Sequence, residues 1–395
     1  MATRKLYHED TGLDRAEATI LAIEETGGRR AVVLDSTVYY PEGGGQPGDR
    51  GTINGMAIAS AEDRDGVILH FMEGEGAAAL AVGPAEVRID AARRRDFATQ
   101  HTAQHLLSST FLRLTGAPTL SMRLGDEYST IDVDSAEIGA AQLDAVEEAV
   151  MDAIEADRRV IVHLCPPERI EDFPLRKKPP AGEEIIRVVE IEGLDYSPCC
   201  GTHLPSVGPI GLLKITGAEK YKGMTRISFL AGRRAFTDYR TVRRAAEAAA
   251  ASLRVPVAGI GSAVAAAAER AASMDRILLG LRETLAARDA ERLAAAAAGG
   301  AIIERFADRG IDECVRVGRA AQKLTQATIV VASAADRKAA ALSGDSDADL
   351  RPRMKALLAA HGGKGGGGPS FFQAAFDSLS DLDAFLAAAR AEFAE

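Results

Sequence analysis

The sequence contains no tryptophan, and aromatic residues make up only 5% of its 395 positions. Leu, Val, Ile and Ala must therefore fill its cores, and an apolar fraction of 47% is enough for that. Cysteine is scarce as well. Cys165, Cys199, Cys200 and Cys314 comprise one adjacent pair and two distant residues, which excludes the dense disulfide framework of a small secreted fold. The opening MATRKLYHEDTG holds no apolar signal segment. The most apolar runs elsewhere are alanine-rich and interrupted by charge, so none is expected to span a bilayer, and a reducing cytoplasm is the expected location. A general positive coat is missing too, since the formal net charge is -10. Nucleic acid is nevertheless felt patch by patch. Between Lys214 and Arg244, nine Lys or Arg stand against Glu219 and Asp238 alone, a local excess that marks Lys214, Lys220, Lys222, Arg226, Arg233 and Arg234 as candidate phosphate contacts.

A chain of this length predicts two or three domains. Residues 15–90 read as short strands with glycine-bearing turns, the pattern of a small barrel or sandwich, so a small N-terminal β-barrel-like domain is expected over 1–90. At Ala91 the pattern changes to one helix, with Asp90 as its cap and Gly116 as its stop. A second helix is expected after a serine cap at Ser135. Strands and a hairpin follow, predicting a helix-over-antiparallel-sheet α+β core over 91–232. Residues 233–298 predict a helical linker or association region, in which Met274, Leu278, Leu281 and Leu285 form an apolar seam broken by Arg288 and Asp289. Gly299 and Gly300 are expected to close it. Residues 299–395 alternate helix and strand and predict a small α/β domain. The whole is expected to be α+β.

The chemistry centres on HTAQH, residues 101–105. Helical side chains four apart share a face, so His101 and His105 can reach one ion. Alone, the pair would equally suit a buried core or a wet surface. The second half is SPCCGTHLPS, residues 197–206, where Gly201 permits a tight backbone path between a cysteine and His203. Cysteine with histidine is an N/S donor pair suited to Zn²⁺. Core filler is the bland reading of Cys199 and Cys200, but a Pro-Cys-Cys-Gly turn suits it poorly. Spacing does not choose between the two sulfurs. The residue after His101 is Thr102, so the general-base glutamate of a His-Glu-x-x-His peptidase is absent, as is a nucleobase-deaminase signature. Four protein ligands would ordinarily complete a structural site. His8, His70, His163 and His361 are isolated and expected to be structural.

Gly43, Gly44 and Gly45 precede Gln46 in a loop with four glycines in six positions, more than a tight connection requires. Such a backbone can approach a ligand closely and aim N–H groups at a phosphate or oxyanion. In HGGKGGGGPSFF, residues 361–372, Lys364 is followed by glycine rather than Ser or Thr, so a phosphate-binding P-loop is excluded. A flexible tether is one reading, and contact between Lys364 and a sugar-phosphate backbone the other.

Together these segments resemble the editing portion of alanyl-tRNA synthetase and its free-standing AlaX-type relatives, in the long form, across essentially the whole chain. The family pattern His-x-x-x-His with Cys-x-x-x-His falls on His101, His105, Cys199 and His203, which selects Cys199. GGGQPGDRG corresponds to the family's glycine-rich loop, and GGKGGGGP resembles a segment of the synthetase's C-terminal tRNA-binding-like domain. Where the family usually has Cys-Gly-Gly-Thr-His, this chain carries Cys200 in place of the first glycine. The resemblance implies a zinc-dependent deacylase acting in trans on tRNA(Ala) carrying serine, and also glycine, with no adenylation domain. Gln46 would then contact the ester or terminal ribose, and Thr130 or another short hydroxyl residue would recognise serine. A deacylase for Ser-tRNA(Thr), a tRNA-binding module with a structural zinc, and a homodimer through the helical region are the further expectations.

Overall fold

The computed structural model describes residues 2–74, 80–179, 182–297, 301–345 and 347–393. Two compact units divide the chain, Met1–Ala248 and Ala249–Glu395.

The first unit opens with β1 (Arg4–Lys5), α1 (Leu6–Glu9), β2 (Arg15–Thr26), β3 (Arg29–Leu34), β4 (Ser36–Thr37), β5 (Gly51–Ile53), β6 (Met56–Arg64), β7 (Val67–Met72) and β8 (Gly83–Ile89). Strands β2, β3, β7, β6, β5 and β8 pair in that circular order, all antiparallel, and β8 returns to β2. The expected separate β-barrel-like domain is nonetheless corrected, because these strands belong to the same compact unit as the core that follows. The physical tie is Arg94, on the helix after β8. Its guanidinium is buried, pairs with Asp49, and donates to Val38 O (2.5 Å) and Thr11 O (3.2 Å). Charges so deeply placed must be satisfied where they lie, so the loop after β4 and the helix fold as one piece.

That helix, α2 (Ala91–Thr115), starts as expected. The Asp90 carboxylate accepts from Ala92 N and Arg93 N, each at 3.0 Å, and the helix stops at Gly116. It is buried from Phe97 to Phe111. Around it lie β9 (Thr119–Leu124), β10 (Ser129–Val133), α3 (Ala140–Glu155), β11 (Val160–Cys165), β12 (Ile186–Ile191), β13 (Asp195–Pro198), β14 (Leu213–Tyr221) and β15 (Met224–Ala231). The sheet β14-β15-β10-β9 turns Ile131, Val133, Ile227 and Phe229 onto Leu106, Leu107 and Phe111 of α2 and Val146 and Val150 of α3. The Ser135 cap does not form. Helix α3 starts five residues later, after Gly139, whose N–H donates to Gln142 Oε1 (3.1 Å). A second sheet, β11-β12-β13, carries the fully buried β12 at its centre. Helix α4 (Arg233–Leu253) follows β15.

The second unit holds α5 (Ile260–Ala296), β16 (Ile302–Phe306), α6 (Ile311–Ala321), β17 (Thr328–Ser333), β18 (Lys338–Ser343), α7 (Arg351–His361), β19 (Lys364–Gly367), β20 (Phe371–Ala375) and α8 (Leu379–Phe393). Gly299 and Gly300, the expected stop of the long helix, lie outside the described residues. One five-stranded sheet, β16-β17-β18-β20-β19, is covered on both faces. Ile329 and Val331 pack with α5 and α6, while Val330 and Ala332 pack with α7 and α8. The sheet of this α/β unit is mixed, since only β16 and β17 run parallel. Four residues join β17 to β18, ending in Arg337 at φ 53°, and a link that short forces the chain straight back. Among the described residues, no single helix is long and apolar enough to cross a membrane.

Candidate metal centre

One turn apart on buried α2, His101 and His105 share a face, with ring centroids 5.1 Å apart. After β13, the chain brings Cys199 and His203 against them. The four ligand atoms all lie within 4.8 Å of one another. Cys199 Sγ sits 3.4 Å from both His101 Nε2 and His203 Nε2. A tetrahedral ion with bonds of about 2.0–2.3 Å would set its ligands roughly 3.3–3.6 Å apart, so the donor set fits a zinc ion in both chemistry and spacing. Cys200 is exposed and outside the cluster.

Each imidazole is held by its other nitrogen. His101 Nδ1 meets Gln46 Oε1 at 2.7 Å, His105 Nδ1 meets Asp195 Oδ2 at 3.0 Å, and His203 Nδ1 meets Thr102 Oγ1 at 3.3 Å. A carboxylate only accepts, so His105 donates from Nδ1. The Thr102 hydroxyl already donates to Ala98 O (2.8 Å) and therefore accepts from His203. This tautomer leaves Nε2 of each ring free to bind an ion, the arrangement by which outer partners orient metal ligands. Gln46 is 1% exposed; its Oε1 also accepts from Thr202 N (3.1 Å) while its Nε2 donates to Thr202 Oγ1 (2.8 Å). Asp195 is gripped in turn by Arg176, through Nε to Oδ1 (2.8 Å) and Nη2 to Oδ2 (3.3 Å).

Electrostatics favour a ligating thiolate. Burial would raise the Cys199 thiol, but His101, His203 and His105 outweigh it and hold the group well below its ordinary value. Burial likewise lowers His101 and His203 toward the neutral, ligating form. At His105 the thiolate and Asp195 overcome burial and raise it.

Gly201 serves by closeness rather than by conformation. Its φ is not in the left-handed region, but a Cβ there would fall onto the His101 ring and 2.8 Å from Gln46 Oε1. At the glycine loop, Gly45 has φ 84° and lies so near β9 that a Cβ would meet Met122 Sδ at 2.7 Å. Gly43 and Gln46 close the turn through paired backbone bonds of 3.1 and 3.0 Å, which deliver Gln46 to His101, while Gly44 and Gly45 stay exposed.

Other expected residues lie elsewhere. Thr130 alternates with Ile131 and so points to the face of β10 away from α2, not into the cluster. Four of the expected phosphate contacts are already paired with carboxylates: Lys214 with Glu147, Lys220 with Glu137, Arg226 with Asp132 and Arg234 with Asp96. Lys222 and Arg233 make no ion pair among the described residues, and Lys364 lies exposed on β19. His8, read as isolated, in fact touches the metal loop, with Nε2 2.9 Å from Cys200 O; burial lowers it to about 4. Asp195, Arg176 and Thr102 were not singled out from the sequence. So too Arg187, buried, whose Nη1 donates to Cys199 O (2.7 Å) and Gly201 O (3.2 Å).

Comparison with known proteins yields three family matches. Residues 186–228 match the threonyl and alanyl tRNA synthetase second additional domain, residues 11–93 the class II (A) tRNA synthetases, and residues 313–395 the DHHA1 domain. Mouse alanyl-tRNA editing protein Aarsd1 is 32% identical over 375 residues, covering 91% of this chain and 89% of the relative. Alanyl-tRNA editing protein AlaX-L of Pyrococcus horikoshii is 31% identical over 254 residues, 61% of each. Alanine–tRNA ligase of Methanobrevibacter smithii is 35% identical over 243 residues, covering 58% of this chain and 27% of the ligase.

Proposed function

The chain belongs to the alanyl-tRNA editing proteins, hydrolases of aminoacyl-tRNA, and on that premise we propose that it removes serine, and also glycine, from tRNA(Ala) in trans. The observation that carries this reading is the convergence of His101, His105, Cys199 and His203 on one point. Zinc held there would supply positive charge to polarise the ester or position water.

The protein's own groups do the rest. Asp195 and Thr102 fix the tautomers of His105 and His203, and Gln46 holds the His101 ring while excluding water from its back. Gly44 and Gly45, exposed and adjacent, offer backbone N–H groups to the ester or terminal ribose. A site that hydrogen-bonds the serine hydroxyl rejects alanine by leaving its own polar groups unpaired, a discrimination of ~10⁴–10⁵ in good cases. Lys222, Arg233 and Lys364, which make no ion pair among the described residues, are the expected phosphate contacts that remain available, and a tRNA substrate is in keeping with a cytoplasmic site of action. Met274, Leu278, Leu281 and Leu285, between 49% and 69% exposed on α5, offer an apolar face to a second copy.

Hydrolysis of Ser-, Gly-, Ala- and Thr-charged tRNAs, with zinc content measured alongside, tests the reading. Turnover of Ser-tRNA(Ala) supports it, and turnover confined to Ser-tRNA(Thr) replaces it with the threonine system. A second reading, in which the zinc is structural, has the complete four-ligand set in its favour. Soluble His105→Ala that lacks both zinc and activity favours catalysis at the metal, whereas full activity without zinc, or loss of the fold with the zinc, favours the alternative.

A further inference from the structure

We infer that Lys177 and Lys178, on the loop that leads from Phe173 toward β12, hold the backbone phosphates of the last nucleotides of the bound tRNA beside the metal cluster. The inference rests on the deacylase reading above and adds a contact that the basic stretch from Lys214 to Arg244 does not provide.

Position is the first argument. Arg176 is fastened to the site three times: its N–H donates to Tyr196 O (2.8 Å), and its guanidinium grips both oxygens of Asp195, the carboxylate that orients His105. Lys177 is the next residue. Pro174 and Pro179 frame the segment and restrict its backbone. The lysines are thus presented from an anchored base.

Availability is the second argument. Both side chains are exposed, and neither makes an ion pair among the described residues. Lys214, Lys220, Arg226 and Arg234 each spend their charge on a carboxylate of the protein. Nearer the cluster, Arg187 is buried and committed to the carbonyls of Cys199 and Gly201. A chain of net charge -10 repels a polyanion overall, so docking the acceptor end at a thiolate-bearing site requires cations close by. Mobile, hydrated lysine heads on a fixed loop suit phosphates read without sequence preference.

The experiment compares wild type, Lys177→Ala/Lys178→Ala and Lys177→Arg/Lys178→Arg. Binding of uncharged tRNA(Ala) ending in CCA is measured by anisotropy against salt, and hydrolysis is measured on Ser-tRNA(Ala) and on phosphate-free 3′-O-seryl-adenosine. The alanine variant should raise KM for Ser-tRNA(Ala) roughly tenfold. Its salt slope should flatten by about 1.4, as expected when two single-strand phosphate contacts vanish. Turnover of seryl-adenosine should match wild type, and the arginine variant should restore tRNA affinity. Unchanged KM and slope would overturn the inference, and so would an equal loss on both substrates, which would place the lysines at the ester or in the fold. If wild type hydrolyses no charged tRNA, the deacylase reading fails, and the binding arm still decides the lysine contact.

Discussion

Replacing Gly201 with alanine adds a single methyl group at the tightest point of the metal centre. The new Cβ would overlap Cε1 and Nδ1 of the His101 ring and lie 2.8 Å from Gln46 Oε1. Comfortable carbon contacts need about 3.5–4.0 Å, so the ring, which that Cβ would approach to 2.1 Å, must retreat by more than an ångström. It has nowhere to go, being 2% exposed and tied to a Gln46 amide that Thr202 holds at 2.8 and 3.1 Å. Overpacking of this kind costs about 1–3 kcal/mol of stability. Displacing a ligand and its outer partner should weaken zinc binding by about 10–100-fold, and misplacing a reacting group by an ångström should lower deacylation by roughly a hundredfold. Zinc affinity by competition with a chromophoric chelator, Ser-tRNA(Ala) hydrolysis and urea denaturation measure the three effects. Cys200→Ala is the control, because that thiol lies outside the cluster. Wild-type zinc affinity and turnover in Gly201→Ala would show that the close approach is not what sets His101.

Gln46→Ala should also weaken zinc binding by about 10–100-fold, with little change in folded content, because it removes the acceptor that orients His101; the same chelator competition reads this out. Arg94→Ala leaves Asp49 buried and uncompensated, a carboxyl that burial already pushes upward despite its partner, and urea melts should show a loss of about 3–5 kcal/mol. Asp132 is held below its ordinary value chiefly by its hydrogen bonds from Arg226 (2.7 and 2.9 Å). Its folded pKa is depressed, so its contribution is complete above the unfolded value of ~3.9 and is lost as pH falls through the folded one. Denaturation profiles of wild type and Asp132→Asn should therefore converge below that window; a constant gap at all pH values would refute the assignment.

Local spacing made the histidines readable. His101 and His105 needed only the helical repeat, and the Asp90 cap and Gly116 stop marked the helix that carries them. Spacing alone left Cys199 and Cys200 equivalent, and burial separates them in the fold. The roles of Gln46, Asp195 and Arg176 depend on bonds to residues 55, 90 and 19 positions away, which no local pattern encodes. Thr130 was singled out by its hydroxyl, yet strand alternation turns it from α2. Counting charge between Lys214 and Arg244 found the cations but not the carboxylates that pair with four of the six expected phosphate contacts. The C-terminal alternation of helix and strand indicated a small α/β domain but not its strand directions, which depend on the four-residue turn between β17 and β18. The N-terminal strands suggested a separate domain because the buried Arg94–Asp49 tie joins residues 45 positions apart.

The most direct test of the four-ligand claim is zinc K-edge X-ray absorption on the purified, catalytically active chain. Three nitrogen neighbours at about 2.0–2.1 Å and one sulfur at about 2.3 Å are expected. A shell without sulfur, or with two sulfurs and fewer imidazoles, would contradict it.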